Sequence, residues 1–297
     1  MSWKTVIIKN SEYLFLKNGL LTIKNNNELT KVENISALDM IIIENRNTVL
    51  SVPLINELSN NNVSIVTCDT KGDPSALIMP FFSHHKPSEK LHLQFNFSKK
   101  NYSLIWKLII QRKIENQQQL LEKLNCDQKA IDILYRYSKS VIINDSNNRE
   151  GLAARVFFRE LYGSNFIRFS DNNINSALNY GYKILASYIS RTIIKNGLNP
   201  SIGIWHKTAS NYFNLTYDLI EPFRPLIDEI VSRMFLEEDV FTYSKRIKLI
   251  NVLYTQVKIN GRVTTMTNAI EEMVMSFSRC LINQSTDIIL PHLSFDE

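Results

Sequence analysis

Tyr13-Leu-Phe-Leu-Lys-Asn-Gly-Leu-Leu-Thr-Ile23 places an Asn-Gly pair between two apolar runs. A type I′ turn needs positive φ at both central residues, and Asn-Gly supplies it at little steric cost. The spacing therefore predicts a β-hairpin with strands Tyr13–Leu16 and Leu20–Ile23. Working outward, Val6–Ile8, Leu29–Val32, Met40–Ile43 and Val63–Val66 read as further short strands, with one short helix from Pro53 to Leu58. Six short strands in so few residues predict a small N-terminal β-sandwich over residues 1–70. Gly72, Pro74, Pro80 and Pro87 then cluster, which marks residues 71–97 as a linker.

From Ser98 the apolar period changes to that of a helix. Ser98 is placed to cap a helix running to Leu124, with Leu104, Leu108, Ile109, Leu120, Leu121 and Leu124 inward. Further helices are predicted at 127–140, from Ser146 or Asn147 to Gly163, at 173–196, 214–236, 242–253 and 265–283. Gly197 and Pro200 stand where a helix stop belongs. The predicted fold class is α+β: a small β-sandwich, a linker, and a larger all-α domain over residues 98–297.

The chain has 297 residues, 44% apolar and 21% charged, as an ordinary globular protein has. Its eight glycines are few, since average usage would give roughly twenty. None lies within five positions of another, which excludes both a dinucleotide fingerprint and a P-loop. Cys68, Cys126 and Cys280 are isolated, with no C-x-x-C, which fits a reducing cytoplasm. No apolar run is long enough to span a membrane, and the N-terminus lacks the pattern of a signal peptide. The net charge of +5 is unevenly spread: residues 81–210 sum to +10 and residues 211–240 to −5. Such polarity suits either a polyanion-binding surface beside a cation site or solvated faces clustered by chance.

Five histidines are present: His84, His85, His92, His206 and His292. His206 ends the loop Pro200-Ser-Ile-Gly-Ile-Trp-His206, and Asp218 and Glu221 follow at i,i+3 among Leu215, Leu219 and Ile220. Acids on an apolar face are costly unless paired or ligated. Pro222-Phe-Arg-Pro225 should break or kink the helix just after Glu221. The resulting C-terminal dipole favours a cation, from Arg224 or from a metal. Glu150 precedes Gly151, Ala153 and Ala154, small residues that allow close approach. Glu150, His206 and Glu221 form an O/N/O set that suits Mg²⁺ or Mn²⁺, with Glu150 open to the alternative role of a first-turn helix acid.

Four runs occur in order: Asn148-Arg-Glu-Gly-Leu-Ala-Ala-Arg155, Asn175-Ser-Ala-Leu-Asn-Tyr-Gly-Tyr182, Gly197-Leu-Asn-Pro200 to His206, and Asp218-Leu-Ile-Glu-Pro-Phe-Arg-Pro225. Together they resemble the CRISPR-associated spacer-acquisition integrases, the endonucleases of CRISPR adaptation, over nearly the whole chain. The Glu-Pro-Phe-Arg-Pro form and the length are similar to the type II branch. The resemblance implies a metal-dependent DNA endonuclease and integrase that inserts short spacers into a CRISPR array. It places the metal ligands at Glu150, His206 and Glu221, with Asp218 as a neighbouring or transient ligand.

It also implies a homodimer formed through the β domains, and a complex with the small ferredoxin-like adaptation subunit on double-stranded DNA. In type II systems it further implies an accessory ring-forming protein and the RNA-guided effector nuclease. Arg149, Arg155, Arg168, Arg191, Lys195 and Lys207 are candidate phosphate contacts from the basic stretch. Tyr162, Tyr180 and Tyr182 suit either base stacking or the core. The alternatives are a non-catalytic nucleic-acid-binding scaffold and a stand-alone nuclease for branched DNA.

Overall fold

The computed structural model describes residues 4–10, 12–25, 28–81, 84–235 and 240–293, and divides into two units at residues 85 and 86. The hairpin forms as expected. β1 (Lys4–Ile8) is followed by β2 (Tyr13–Lys17) and β3 (Leu20–Asn25), joined through Asn18 and Gly19 at φ 51° and 76°. β4 (Glu28–Asn34), β5 (Leu38–Ile43), β6 (Val49–Leu50), α1 (Val52–Asn60), β7 (Ser64–Cys68) and β8 (Pro74–Ile78) complete the first unit.

The strands make two four-stranded sheets, ordered β4-β3-β2-β6 and β1-β5-β7-β8. Their shared core includes Ile8, Leu14, Leu21, Ile41, Leu54 and Ile65. The second sheet pairs β1, β5 and β7 in parallel, with α1 as the crossover from β5 to β7. All six residues of β5, Leu-Asp-Met-Ile-Ile-Ile, are buried, as a central parallel strand covered on both faces requires.

The proposed linker is not unstructured. Pro74–Ile78 adds β8 to β7 at the sheet edge, where a first-position proline leaves no ladder bond unmet. Pro87–Asn96 forms α2, with Pro87 in the first turn. Four breakers in a row thus mark element starts and turns, and the unit boundary falls between them.

The second unit is helical: α3 (Lys99–Lys123), α4 (Gln128–Lys139), α5 (Arg149–Tyr162), α6 (Asn173–Lys195), α7 (Asn214–Leu219), α8 (Arg224–Met234), α9 (Tyr243–Asn251), the strands β9 (Gln256–Ile259) and β10 (Arg262–Thr265), and α10 (Met266–Asn283). Ser98 caps α3 by accepting from the Asn101 amide, and Asp127 caps α4 through Lys129. Gly197, at φ 74°, follows the end of α6. The expected helix over 214–236 is broken at Glu221-Pro-Phe223, a single 3-10 turn, and Pro225 then sits in the first turn of α8. Position 236 lies outside the described residues.

The all-α expectation is corrected by the β9–β10 hairpin. Asn260 and Gly261, at φ 50° and 76°, repeat the turn of Asn18 and Gly19. The buried face of α3 also differs. Trp106, Ile110 and Ile114 are interior, while Leu108 is 36% exposed. Among the described residues no helix is long and apolar enough to cross a membrane.

Candidate active site

The two glutamates arrive from different directions. Asp145, just before α5, accepts from the Arg149 and Glu150 amides at 2.8 and 3.0 Å and so caps the helix. The helix starts at Arg149, later than the expected Ser146 or Asn147, because Asn148 stands at its N-cap in the left-handed region at φ 51°. Glu150 therefore stands in the first turn, facing α3. Glu221 opens the proline-broken 3-10 turn, and Asn116 of α3 anchors that turn by donating to the Pro222 carbonyl at 2.8 Å.

Between the two carboxylates lies Lys113 of α3. Its Nζ is 2.6 Å from Glu150 Oε1 and 2.5 Å from Glu221 Oε2. Arg224 pairs with the other oxygen of Glu221, Nε to Oε1, at 2.9 Å. Burial alone would push the Glu221 carboxyl up. Arg224 and then Lys113 outweigh it and hold the group below the usual carboxylate range. Burial would likewise lower the Lys113 ammonium, and Glu150 and Glu221 reverse this and keep it charged. Lys113 is a site residue outside the four sequence motifs. Its signal is a lysine set in the apolar stripe Trp106, Ile109, Ile110, Leu120, Leu121.

His206 is held by Asp218. Asp218, fully buried on α7, accepts from the Ile204 and Trp205 amides through Oδ2 at 2.5 and 3.0 Å. Its Oδ1 accepts from the His206 amide at 3.2 Å and lies 2.6 Å from His206 Nδ1. The bond to Asp218 raises the His206 pKa, against burial and with further help from Glu221 and Glu150. A side chain at Gly203 would lie 2.2 Å from the His206 carbonyl oxygen and 2.8 Å from Asp218 Oδ2, so only glycine lets the loop wrap this carboxylate. Trp106 stacks on Trp205 and meets the His206 ring edge-on, both at 5.8 Å between centroids.

Thus Glu150 and Glu221 meet on one cation, and His206 lies within their electrostatic reach without touching them. Among the described residues, no three His, Cys, Asp or Glu side chains close on a common point. A cavity of about 790 Å³ is lined by Lys113, Glu150, Glu221 and Arg224 on one side, and by Arg155, Arg159 and Arg168 with Phe158 and Phe166 elsewhere.

The proposed basic contacts divide. Arg155 and Arg168 line the cavity, and Arg168 donates to Asn175 and Asn179 at 3.0 and 2.9 Å. Arg149 lies over the Tyr137 ring, and Lys207 is exposed. Arg191 is 3% exposed and faces Glu271, which also pairs with Lys195 at 2.7 Å. Both thus face an acid of α10, with Arg191 buried and 33% of the Lys195 side chain exposed. The tyrosines take the core role: Tyr180 is fully buried, and Tyr162 and Tyr182 donate to the carbonyl and carboxylate of Asp228.

Burial pushes the Asp228 carboxyl up to about 7, against the Tyr182 hydroxyl and the charges of Arg224, Arg168 and Lys113. The folded chain therefore holds a proton there that the unfolded chain, near 3.8, releases. Stability should fall as pH rises from about 4 to about 7, by at most about 1.4 kcal/mol per pH unit, and level off above. Asp228→Asn removes this dependence. Urea unfolding at pH 5 and pH 7.5 should show the variant gaining on the parent between the two values. Equal differences at both pH values would contradict the assignment.

Residues 5–256 match the family model described as CRISPR associated protein Cas1. The chain is 33% identical over 280 residues to the CRISPR-associated endonuclease Cas1 of Neisseria meningitidis serogroup C (strain 8013), covering 93% of this chain and 91% of that one. In fold it is similar to a casposase bound to integration product, with TM-score 0.77 and 21% identity over 96% of this chain and 92% of that one. It is also similar to a chain of a Cas6-RT-Cas1–Cas2 complex, with TM-score 0.74 and 15% identity, covering 96% of this chain and 36% of that one. A family model that spans most of the chain, and a relative 33% identical over 93% of it, make the chain a member of the CRISPR-associated Cas1 family.

Proposed function

We propose that this chain is a divalent-metal-dependent DNA endonuclease and integrase, which joins the 3′ ends of short duplexes to the repeat of a CRISPR array. The observation that carries the proposal is the convergence of Glu150 and Glu221 on one cation, at the wall of an arginine-lined cavity. The donor chemistry fits Mg²⁺ or Mn²⁺: two hard carboxylates, and an imidazole whose Nδ1 is engaged by Asp218, which leaves Nε2 for a ligand. Glu221 Oε2 is buried, and its partner is the Lys113 ammonium at 2.5 Å, so the site already holds a cation against this oxygen. Glu150, His206 and Glu221 would hold the ion, and Asp218 would orient His206. When bound, the ion polarises the scissile phosphate and stabilises the leaving oxygen. Arg155, Arg159, Arg168 and Arg224 supply positive charge along the cavity for the DNA backbone.

The partners proposed with this activity are double-stranded DNA, a second copy of the chain, and the small ferredoxin-like adaptation subunit. The similar chain solved within a complex that includes Cas2 supports the last of these. The accessory ring protein and the effector nuclease of type II systems are proposed as further partners, and the cytoplasm as the location. A second reading, a non-catalytic DNA-binding scaffold, draws on the Glu221 pairs with Lys113 and Arg224, which already balance its charge.

Nicking of plasmid by the purified chain separates the two. Cleavage in Mn²⁺ that vanishes with EDTA is expected, and DNA affinity that falls steeply as salt rises. Absence of metal-dependent nicking would favour the scaffold.

A further inference from the structure

We propose that Lys113 is a built-in counter-cation, which holds Glu150 and Glu221 together in the metal-free site and is displaced when a divalent ion enters. This rests on the reading of Glu150 and Glu221 as metal ligands. The ammonium sits within 2.6 Å of one oxygen from each carboxylate, so it occupies the place where their donor oxygens converge. A divalent ion held by the same oxygens at its usual distance of about 2.1 Å needs that place. Two cations cannot share it.

Without Lys113 the carboxylates would face each other beside the interior, where Glu221 is 4% exposed, and like charges at short range repel strongly. Arg224 offsets only part of this, because it engages the opposite oxygen of Glu221. The lysine is 8% exposed and lies on the inward face of α3 between Ile109 and Ile110 on one side and Asn116 and Gln117 on the other, and the two glutamates are the carboxylates its ammonium pairs with there. Its head also has somewhere to go. Lys113 lines the same cavity as both glutamates, and a four-carbon stem can swing into that space. An arginine or lysine bound to only one carboxylate could remain beside a metal. One that bridges both must yield.

Two consequences separate this role from plain packing. Lys113 makes metal binding weaker than the ligands alone would allow, and it makes the metal-free protein more stable. Calorimetric titration of Mn²⁺ into the full-length chain and into Lys113→Met should show the variant binding about tenfold more tightly or better, since no ammonium has to leave. Lys113→Arg keeps the charge and should stay close to the parent. In EDTA, Lys113→Met should melt on the order of 10 °C lower, because the two carboxylates keep only Arg224 to offset them, and Mn²⁺ should restore most of the loss. Lys113→Gln, which keeps a donor between the carboxylates, gives the same readout if Lys113→Met does not accumulate.

Unchanged or weaker Mn²⁺ binding in Lys113→Met and Lys113→Gln overturns the proposal, as does an unaffected melting point in EDTA. Glu150→Gln tests the underlying reading separately. If it binds Mn²⁺ like the parent, or if neither binds, the metal site itself is wrong. If it loses the ion while the Lys113 variants gain nothing, only the role of Lys113 fails.

Discussion

Glu150→Ala should lower metal-dependent cleavage and strand transfer by about three orders of magnitude or more, the loss expected when a catalytic ion is no longer held. His206→Ala and Glu221→Ala should do the same. Their effects on folding should differ, and the difference follows from the charges. Lys113, Arg224, Glu150 and Glu221 form a neutral set of two cations and two anions. Glu150 has a side chain 30% exposed, so its loss leaves Lys113 paired with Glu221 and partly hydrated. Little stability should be lost, under about 1 kcal/mol. Glu221 is nearly buried, and its removal leaves Arg224 and Lys113 without their shared partner. That should cost about 3–5 kcal/mol. Plasmid nicking in Mn²⁺ alongside urea unfolding reads both quantities. Wild-type nicking by Glu150→Ala would remove it from the set of ligands.

Asp218→Ala should give the second large effect, chiefly on stability. One carboxylate serves three backbone amides of the loop 204–206 and the His206 ring. Removing it orphans buried donors at about 1–3 kcal/mol each, partly relieved as the loop loosens, for a net loss of about 3–5 kcal/mol. His206 also loses its orientation, which in metal sites lowers affinity by about 10- to 100-fold. Asp218→Asn fills the same volume but turns an amide donor towards other donors, so it should recover little of the loss. Urea unfolding and Mn²⁺ titration of both variants check this. Stability within 1 kcal/mol of the parent would mean that the loop does not depend on this carboxylate.

Much of this architecture is legible locally. Asn18-Gly19 specifies its hairpin because the turn needs two positive φ values, and both residues adopt them. Pro222 and Pro225 specify the break after Glu221 because neither can donate within a helix. The same local logic applied to Asn260-Gly261 would have found β9 and β10, yet the surrounding helical periodicity masked it.

What stayed illegible depends on distant partners. The spacing of Lys113 puts it on the inward face of α3, but nothing near it in sequence names its partners, Glu150 and Glu221, which come from two later segments. The pairing of Arg191 and Lys195 with Glu271 of α10, some 76 residues away from Lys195, likewise has no local signal. The inward face of α3 is set by what α3 packs against. Leucine spacing alone therefore placed Leu108 inside and passed over Trp106.

The central claim is that Glu150, His206 and Glu221 together hold one divalent ion. A crystal structure of the chain soaked with Mn²⁺, with anomalous data collected near the manganese edge, tests it most directly. The account predicts one anomalous peak within about 2.3 Å of a carboxylate oxygen of Glu150, of Glu221 and of His206 Nε2, with the Lys113 head moved away from both glutamates. A saturated crystal with no peak there, and Lys113 still bridging the two carboxylates, would contradict it.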